Sequence, residues 1–457
     1  MTFPLFILYV VLAYIQPGEI MPALAPYRIT YWVGMAGLAV VAVSLVERRS
    51  HLRGSLQLWA VAAFTAVMGL SLMVAERWLG APVLAVQRFG PSLTIFVLAI
   101  GSVTSLVRLR IAATFVIALT TALMLQGAVA YHFGYNAQLF LMDRTAVLDA
   151  PEEPLAQDQA DADDAPLNSD EQPEQPEEAD GGGTARIRAL GFMNDPNDLA
   201  MAMIVAFGLI GGAWRPTRQA RHLLLGAAAC ALVYGIYLTR SRGGAVALVV
   251  VIWRFAAGRI GRVPALIVLL ALGASLMMLD FGGRSLIVDE NESATGRLDA
   301  WTEGLEMLKT QPILGVGYGQ FLDHHTLTAH NSLVLSFAET GLLGCFFWVS
   351  LFVVTLLELH QVKALAGEEP FDEMARQWAE GLQLALIGFM VAAFFLSRTF
   401  APTLYLVVGL SAAVAAIVRQ ANRSIPLPAL PELGLLILAC EAGGVGVVYT
   451  MVKLHVA

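Results

Sequence analysis

The sequence predicts an all-α fold, a polytopic transmembrane helical bundle of about 12–13 spans with a large outer loop that contains an amphipathic helix. Of the 457 residues, 57% are apolar and only 14% are charged, whereas charged residues make up about a quarter of a soluble domain. Runs with almost no charge recur at 61–75, 223–238, 265–279 and 333–357. The chain is therefore expected to lie in a membrane rather than in solution.

Apolar helices are predicted in order along the whole chain, at 3–16, 28–46, 55–75, 91–106, 111–132, 191–213, 222–239, 243–254, 263–280, 330–357, 380–397, 403–419 and 432–451. The loops between them alternate in their content of arginine. If the N-terminus is cytoplasmic, the arginine-bearing loops at 48–53, 108–110, 215–221, 254–262 and 419–423 all face the cytoplasm. The positive-inside rule favours this orientation over its inverse.

The chain divides into four predicted parts. Residues 1–132 form N-terminal transmembrane helices, and 133–190 form an outer loop. The middle of that loop, 149–183, is rich in Asp, Glu, Gln, Ala and Pro, ends in three glycines and is expected to be disordered. Residues 191–357 form a core that includes the second outer loop, 281–329, and residues 358–457 form the C-terminal transmembrane helices.

Part of the second outer loop has the pattern of an amphipathic helix. Ser293 and Thr295 are candidate N-caps. Apolar residues follow at helical spacing and are expected to lie along the outer membrane surface: Leu298, Trp301, Leu305 and Leu308. Gln311-Pro312 is predicted to end this helix, and the glycines at 315, 317 and 319 to form a flexible turn toward His330.

Several arginines fall on the outer side, where the positive-inside rule does not place them, and four of them stand out: Arg188, Arg240, Arg242 and Arg297. Such guanidinium groups would bind an anion, for example a lipid diphosphate. The segment Ser241-Arg242-Gly243-Gly244 also begins a helix, whose positive end would face the same anion. The alternative interpretation is that Arg240 and Arg242 extend along the interface without binding a ligand.

Four further polar residues are candidates for the same site. His330 could take a proton from an attacking hydroxyl near neutral pH, or it could be an interface residue beside Asn331 as helix cap. Asn197 opens a span and is either a cap or a site residue. Glu339 lies well inside a span, where acids are functional candidates or structural partners of an arginine or a backbone amide. The spacing of the cluster at 323–325 with His330 matches no familiar zinc pattern, so no metal site is predicted.

These residues occur in an ordered set of motifs that resembles the O-antigen ligase and O-antigen polymerase superfamily of bacterial surface-polysaccharide enzymes. The motifs are Arg188 with Gly191 and Asn194-Asp195-Pro196-Asn197-Asp198, Ser241-Arg242-Gly243, Gly296-Arg297 with Trp301, Pro312-Ile313-Leu314-Gly315-Val316-Gly317, and His330-Asn331-Ser332 with Glu339-Thr340-Gly341 and Gly344. Each motif alone is weak, but their order and their placement on the outer face are together specific. The acidic insert departs from the pattern of the superfamily.

The resemblance implies a membrane glycosyltransferase of the bacterial inner membrane with its site facing the periplasm. Such an enzyme moves a glycan from an undecaprenyl-diphosphate donor to an acceptor hydroxyl, inverts the anomeric centre and uses no metal or other cofactor. Arg188 and Arg297 are expected to bind the diphosphate and His330 to activate the acceptor. Arg242 and Arg240 would add diphosphate contacts, and Asn331, Asn197 and Glu339 would support the site.

The expected partners are the lipid-linked donor, a lipid or glycan acceptor with a free hydroxyl, and the bilayer; no nucleic acid is expected. The acceptor distinguishes a ligase from a polymerase or a protein O-oligosaccharyltransferase, and the sequence leaves these alternatives open. A polysaccharide transporter or flippase is less favoured, because polar residues crowd the outer helix ends rather than the bilayer midplane, and no internal repeat is visible.

Overall fold

The computed structural model describes residues 2–46, 54–142, 185–214, 219–261, 263–267, 269–271 and 289–456. Within this part, the prediction of an all-α polytopic bundle is confirmed, and ten helices are long and apolar enough to cross a membrane. The acidic insert at 149–183 lies outside the described residues. So do the second half of the span predicted at 263–280 and residues 281–288 of the second outer loop.

The N-terminal half consists of five long helices: α1 (Thr2–Ile15), α2 (Ile29–Val46), α3 (Leu56–Glu76), α4 (Ala81–Ser102) and α5 (Leu106–Phe133). Serine N-caps begin two of them, because the Ser55 hydroxyl accepts the Leu58 N–H of α3 and the Ser105 hydroxyl accepts the Arg108 N–H of α5.

The predicted bounds of the fourth and fifth spans were wrong. Helix α4 begins at Ala81 instead of 91 and continues through Pro91, and α5 begins at Leu106 instead of 111. Arg88 and Pro91 interrupt the apolar pattern of α4 without ending the helix. The Pro91 carbonyl accepts a hydrogen bond from the Tyr9 hydroxyl (3.3 Å), which joins α4 to α1 at this point.

The remaining long helices are α6 (Pro196–Ala213), α7 (Gln219–Leu238), α8 (Arg242–Ile260), α9 (Asp289–Thr310), α10 (Ser332–Lys363), α11 (Pro370–Ala393), α12 (Pro402–Gln420) and α13 (Leu430–Val456). A helix lies at every predicted span outside 263–280. Helix α7 is apolar over the shorter stretch His222–Leu238, and α11 is not among the ten candidate spans.

The centre of the bundle is built on close contacts between small residues. Helices α6 and α11 approach each other at glycines, so that a Cβ added to Gly208 would lie 2.4 Å from the Ala385 nitrogen. A Cβ added to Gly381 would lie 2.6 Å from the Gly212 nitrogen. Glycines of this kind let membrane helices pack backbone against backbone. Helix α12 packs against α4 and is buried over most of its length.

Helix α9 is the predicted amphipathic helix, with a corrected start. It begins at Asp289, before the candidate caps Ser293 and Thr295, and it ends at Thr310, just before Gln311-Pro312 as predicted. Trp301 and Leu305 are buried. Both side chains pack in the core, and α9 contacts helices α10 and α13 of the bundle.

The segment 311–321 after α9 enters the bundle and hydrogen-bonds to an unwound point of α10. The Val316 N–H donates to the Ala338 carbonyl (2.9 Å), and the Leu342 N–H donates to the Pro312 carbonyl (2.9 Å). Gly341 interrupts α10 with φ 64° and ψ −172°. The glycine-containing segment is therefore held by backbone hydrogen bonds, in contrast to the flexible turn that the sequence predicted.

Polar contacts divide the bundle into two ends. The His330 end carries the start of α10 together with the loop at 185–195 and the loop at 394–401. The opposite end carries buried networks such as that of Gln57, Glu358 and Arg419. Arg297 and Asp195 act on His330 through their charges, so both lie at the first of these ends.

Candidate active site

His330 occupies a strained backbone position that its neighbours fix on both sides. Its φ of 46° lies in the left-handed region, which residues other than glycine seldom adopt. Before it, the Trp301 indole N–H donates to the Ala329 carbonyl (2.9 Å). After it, the Asn331 side-chain oxygen accepts the Leu333 and Val334 N–H groups (2.9 and 3.2 Å) and caps α10.

The loop at 394–401 holds the start of α10 from the other side. The Ser332 hydroxyl donates to the Leu396 carbonyl (2.6 Å) and accepts the Arg398 N–H (2.8 Å). The Thr399 hydroxyl donates to the Ser332 carbonyl (2.6 Å). Ser332 and Thr399 are both fully buried, so the residue two positions after His330 has little freedom to move.

The surroundings of His330 favour its neutral form. Burial, the positive charges of Arg297 and Arg398, and a smaller contribution from His325 lower its pKa to about 4, and the carboxylate of Asp195 only partly opposes this. The imidazole is therefore neutral at pH 7, with a ring nitrogen able to accept a proton.

Arg242 and Arg297 come together near His330. Arg242 is the first residue of α8, whose cap is the Ser241 hydroxyl accepting the Gly244 N–H (3.1 Å). Partial burial and the charge of Arg242 lower the pKa of Arg297, which lies on α9. Two like charges beside the positive end of a helix repel each other, and an anion between them would relieve that repulsion.

Arg188 lies in the same end of the bundle but contacts a different set of residues. It donates to the Gln138 carbonyl (3.0 Å), and its charge faces the carboxylate of Glu19. That carboxylate also accepts the Gly191 N–H (2.9 Å to Oε2). The Nε of Arg188 is buried without a hydrogen-bond partner among the described residues. The loop of Arg188 reaches His330 through the charge of Asp195.

Asn197 supports an arginine that was not predicted as a site residue. Arg186 donates from Nη2 to the Asn197 side-chain oxygen (3.3 Å) and from Nε to the Thr239 carbonyl (2.8 Å). It thereby joins the start of α6 to the turn before α8. Arg186 lies two positions before Arg188 in the predicted outer loop, and this position could have identified it as a candidate site residue.

Arg240 packs on an aromatic ring. It has φ 52°, and its guanidinium lies 4.7 Å from the centre of the Tyr237 ring. The Tyr237 ring in turn stacks near Tyr234, whose hydroxyl lies 2.6 Å from the His132 Nε2. The Nε of Arg240 is buried without a hydrogen-bond partner in the described part of the chain. Arg240 therefore ends an aromatic stack on α5 and α7.

Glu339 contacts backbone amides, which is one of the two alternatives that the sequence left open. Its carboxylate accepts the Gly319 N–H (2.9 Å) and the Phe321 N–H (3.2 Å). Glu339 is 3% exposed. It anchors the segment 311–321, which leads to His330, and its place in the site is that of a support.

The histidines upstream of His330 form hydrogen bonds with the backbone of their own loop. His324 Nδ1 lies 3.0 Å from the Gln320 carbonyl, and His325 Nδ1 lies 2.9 Å from the Leu327 carbonyl. Across the described ranges, no three His, Cys, Asp or Glu side chains gather as a metal site.

Arg398 is the second residue that the sequence analysis missed. Its Nη2 donates to the Asp198 Oδ2 (2.8 Å) and its Nε to the Asp198 Oδ1, and its charge acts on His330. The signal was present, because Arg398 follows the span predicted at 380–397 and so falls on the outer side. The rule that selected the other four arginines selects Arg398 equally.

No curated protein matches this chain. Residues 227–349 match the family model Wzy_C, described as O-Antigen ligase. The matched segment includes Arg242, Arg297 and His330 and excludes Arg188 and Arg398. This match supports the resemblance of the chain to the O-antigen ligase and polymerase superfamily.

Proposed function

We propose that this protein transfers a glycan from an undecaprenyl-diphosphate donor to an acceptor hydroxyl at the periplasmic face of a bacterial inner membrane. The observation that carries the proposal is the meeting of Arg242, Arg297 and a neutral His330 at one end of a membrane bundle. Planar guanidinium groups can each bind two charged oxygens of a diphosphate. A neutral imidazole supplies the proton acceptor that an attacking hydroxyl requires.

The reaction follows from these roles. The acceptor oxygen attacks the anomeric carbon of the donor glycan and forms the new glycosidic bond, while the bond from that carbon to the diphosphate oxygen breaks. The acceptor proton passes to His330, and the electron pair of the broken bond remains on the departing undecaprenyl diphosphate. Attack opposite to the leaving group inverts the anomeric centre. Arg242 and Arg297 stabilise the charge that develops on the diphosphate.

Arg188 extends the proposed diphosphate site. Its Nε hydrogen has no hydrogen-bond partner in the described part of the chain, and its loop carries Asp195 next to His330. Arg240, which stacks on Tyr237, is the outermost of the proposed cations. Three further residues would support the site. Asn197 holds Arg186, Asn331 caps the start of α10, and Glu339 holds the segment 311–321.

The test is transfer by the purified protein in detergent, with an undecaprenyl-diphosphate glycan as donor. Arg297→Lys keeps the charge but loses bidentate contact, so we expect kcat/KM to fall about 10²-fold. Arg259→Lys is the matched control, because Arg259 pairs with Glu380 at the opposite end (3.5 Å) and a lysine can keep this pair. Full activity of Arg297→Lys would contradict the assignment.

The same assay addresses the class of protein and the acceptor. A transporter has no compartments to connect in detergent and would leave the donor intact, whereas a transferase consumes it. Lipid A-core, a second lipid-linked glycan and a protein with serine or threonine hydroxyls are offered in parallel. We expect an O-antigen ligase-like reaction, with lipid A-core as the acceptor used; use of either of the others would identify a polymerase or a protein O-oligosaccharyltransferase.

A further inference from the structure

Arg398 is a buried arginine in a loop that the family match does not include. Its side chain is 16% exposed, and that of its partner Asp198 is 12% exposed. Two of its nitrogens bond the Asp198 carboxylate, and Nη1 donates to the Ser397 carbonyl (3.1 Å). Three of its five N–H groups are thus used to fix the orientation of the guanidinium.

Two independent contacts connect Arg398 to His330. The first runs through the backbone, since the Arg398 N–H donates to the Ser332 hydroxyl (2.8 Å) two residues after His330. The second runs through charge, because the guanidinium lies close enough to act on the imidazole. A residue that only joined α6 to the loop at 394–401 would need neither contact.

The charged groups that face His330 come from four parts of the chain. Arg297 comes from α9, Arg398 from the loop at 394–401, Asp195 from the loop before α6 and His325 from the loop before α10. Arg297 is also a proposed ligand of the diphosphate. Arg398 is held by Asp198 and lies outside that set, so its charge remains beside His330 whether or not donor is bound.

We propose that Arg398, oriented by Asp198, is a positioning residue that acts on the His330 imidazole. The proposal rests on the proposed function, in which His330 receives the proton of the acceptor hydroxyl. It adds a residue from the C-terminal helices to a site whose other cations precede α10. Arg398 does not touch substrate in this role and acts through His330.

The experiment is the pH profile of kcat/KM from pH 4 to 8, which follows the protonation of the free protein. Arg398→Gln removes a positive charge, so His330 gains protons more readily and the acid limb moves to higher pH. We expect the ratio of kcat/KM at pH 4 to that at pH 8 to fall about 2–3-fold below the wild-type ratio. Arg398→Lys keeps the charge and loses the bidentate contact, so its limb stays near that of wild type while its rate falls at all pH values.

A double variant guards against misfolding. Arg398→Gln alone leaves the buried carboxylate of Asp198 without its partner, which is strongly destabilising. Asp198→Asn with Arg398→Gln leaves two neutral amides that can bond each other, and the acid limb should still move to higher pH. The matched control is Glu358→Gln with Arg419→Gln, which removes an ion pair at the opposite end and should leave the limb in place.

Each outcome decides between roles. A loss of rate that is equal at every pH in both the single and the double variant would show a purely structural role and overturn the proposal. A raised KM for the donor with an unmoved limb would show direct donor binding and overturn it as well. If wild-type protein does not consume donor, the proposed function fails. If wild type is active and His330→Ala is not, while no Arg398 variant moves the limb, only this inference fails.

Discussion

His330 lies between fixed positive charges and a carboxylate, so its affinity for a proton depends on what is bound beside it. Without ligand, burial and the charges of Arg297 and Arg398 lower its pKa to about 4. A diphosphate near Arg297 would offset those charges and raise the pKa again. In the proposed mechanism, His330 becomes a stronger base only when the donor is present.

This dependence predicts different pH profiles for free and donor-bound protein. kcat/KM reports the free protein, in which His330 loses its proton well below neutral pH, so it should stay level from pH 8 down to about 5. kcat reports the donor-bound protein and should show its acid limb at higher pH. Steady-state transfer rates across this range test the difference. Identical limbs for the two parameters would show that donor binding does not act on His330.

At the residue scale, the sequence predicted the site where residue type and loop position agreed. Arg242, Arg297 and His330 were predicted in this way, and in the structure Arg297 lies close enough to each of the other two for their charges to interact. It did not predict that Arg398 is turned toward His330, because that depends on Asp198, which is 200 positions away in the chain. It also did not predict that Arg240 stacks on Tyr237, at the end of an aromatic stack that extends to His132 on α5.

Helix α10 is interrupted at Gly341. At Gly341 its backbone leaves helical geometry, and the freed groups bond the segment 311–321. A Cβ added to Gly341 would lie 2.3 Å from the Ile313 backbone, and one added to Gly315 would lie 2.4 Å from the Glu339 backbone. Two glycines thus allow a loop and a helix to touch backbone to backbone, just below His330.

Gly341→Ala is expected to destabilise this element. The added methyl group meets backbone atoms, and φ 64° disfavours any residue with a Cβ, so we expect a loss of about 2 kcal/mol or more of stability and reduced transfer activity. Thermal unfolding in detergent measures the first effect.

Gly434→Ala is the control for this substitution. Gly434 lies in α13 with no atom within 4 Å of an added Cβ, and alanine favours a helix over glycine. Its unfolding temperature should stay equal or rise. A Gly341→Ala protein as stable as wild type would show that the close approach of the two backbones is not required.

At the element scale, the hydrophobic pattern located the helices but not all of their ends. The cap Asn331 lies where the sequence predicted it. The start of α4 was missed because Arg88 and Pro91 interrupt the apolar pattern of a helix that continues through them. Arg88 is tolerated there because its charge faces that of Glu339 on α10, a contact that only the fold creates.

On the scale of the whole molecule, a buried polar network that stabilises the fold and the groups of the proposed site lie at opposite ends of the bundle. At the opposite end, Glu358 is 1% exposed and accepts hydrogen bonds from Gln57 (2.6 Å) and Arg419. This network joins α3, α10 and α12. The His330 end holds the groups proposed to bind and react with substrate. In the described part of the chain, the buried network and the proposed site therefore lie at opposite ends of the bundle.

Glu358→Ala is expected to lower stability without changing the mechanism. It leaves Gln57 and Arg419 without their shared acceptor, which costs about 1–3 kcal/mol. The unfolding temperature should fall, while kcat/KM measured well below that temperature should stay within about twofold of wild type. Arg297→Lys should show the reverse, with activity lost and the unfolding temperature kept. A large loss of kcat/KM in folded Glu358→Ala would show that the two ends are coupled.

Residues 141–142 and 186–187 form a short antiparallel strand pair at the two ends of the first outer loop. Leu141 and Met142 pair with Ile187 and Arg186, and the Arg188 N–H donates to the Phe140 carbonyl (2.9 Å). The strand pair therefore holds the two ends of the long acidic insertion side by side, just before Arg188. A change in the length or composition of the insertion is therefore expected to leave Arg188 in place, because the strand pair and this hydrogen bond hold it beside the bundle.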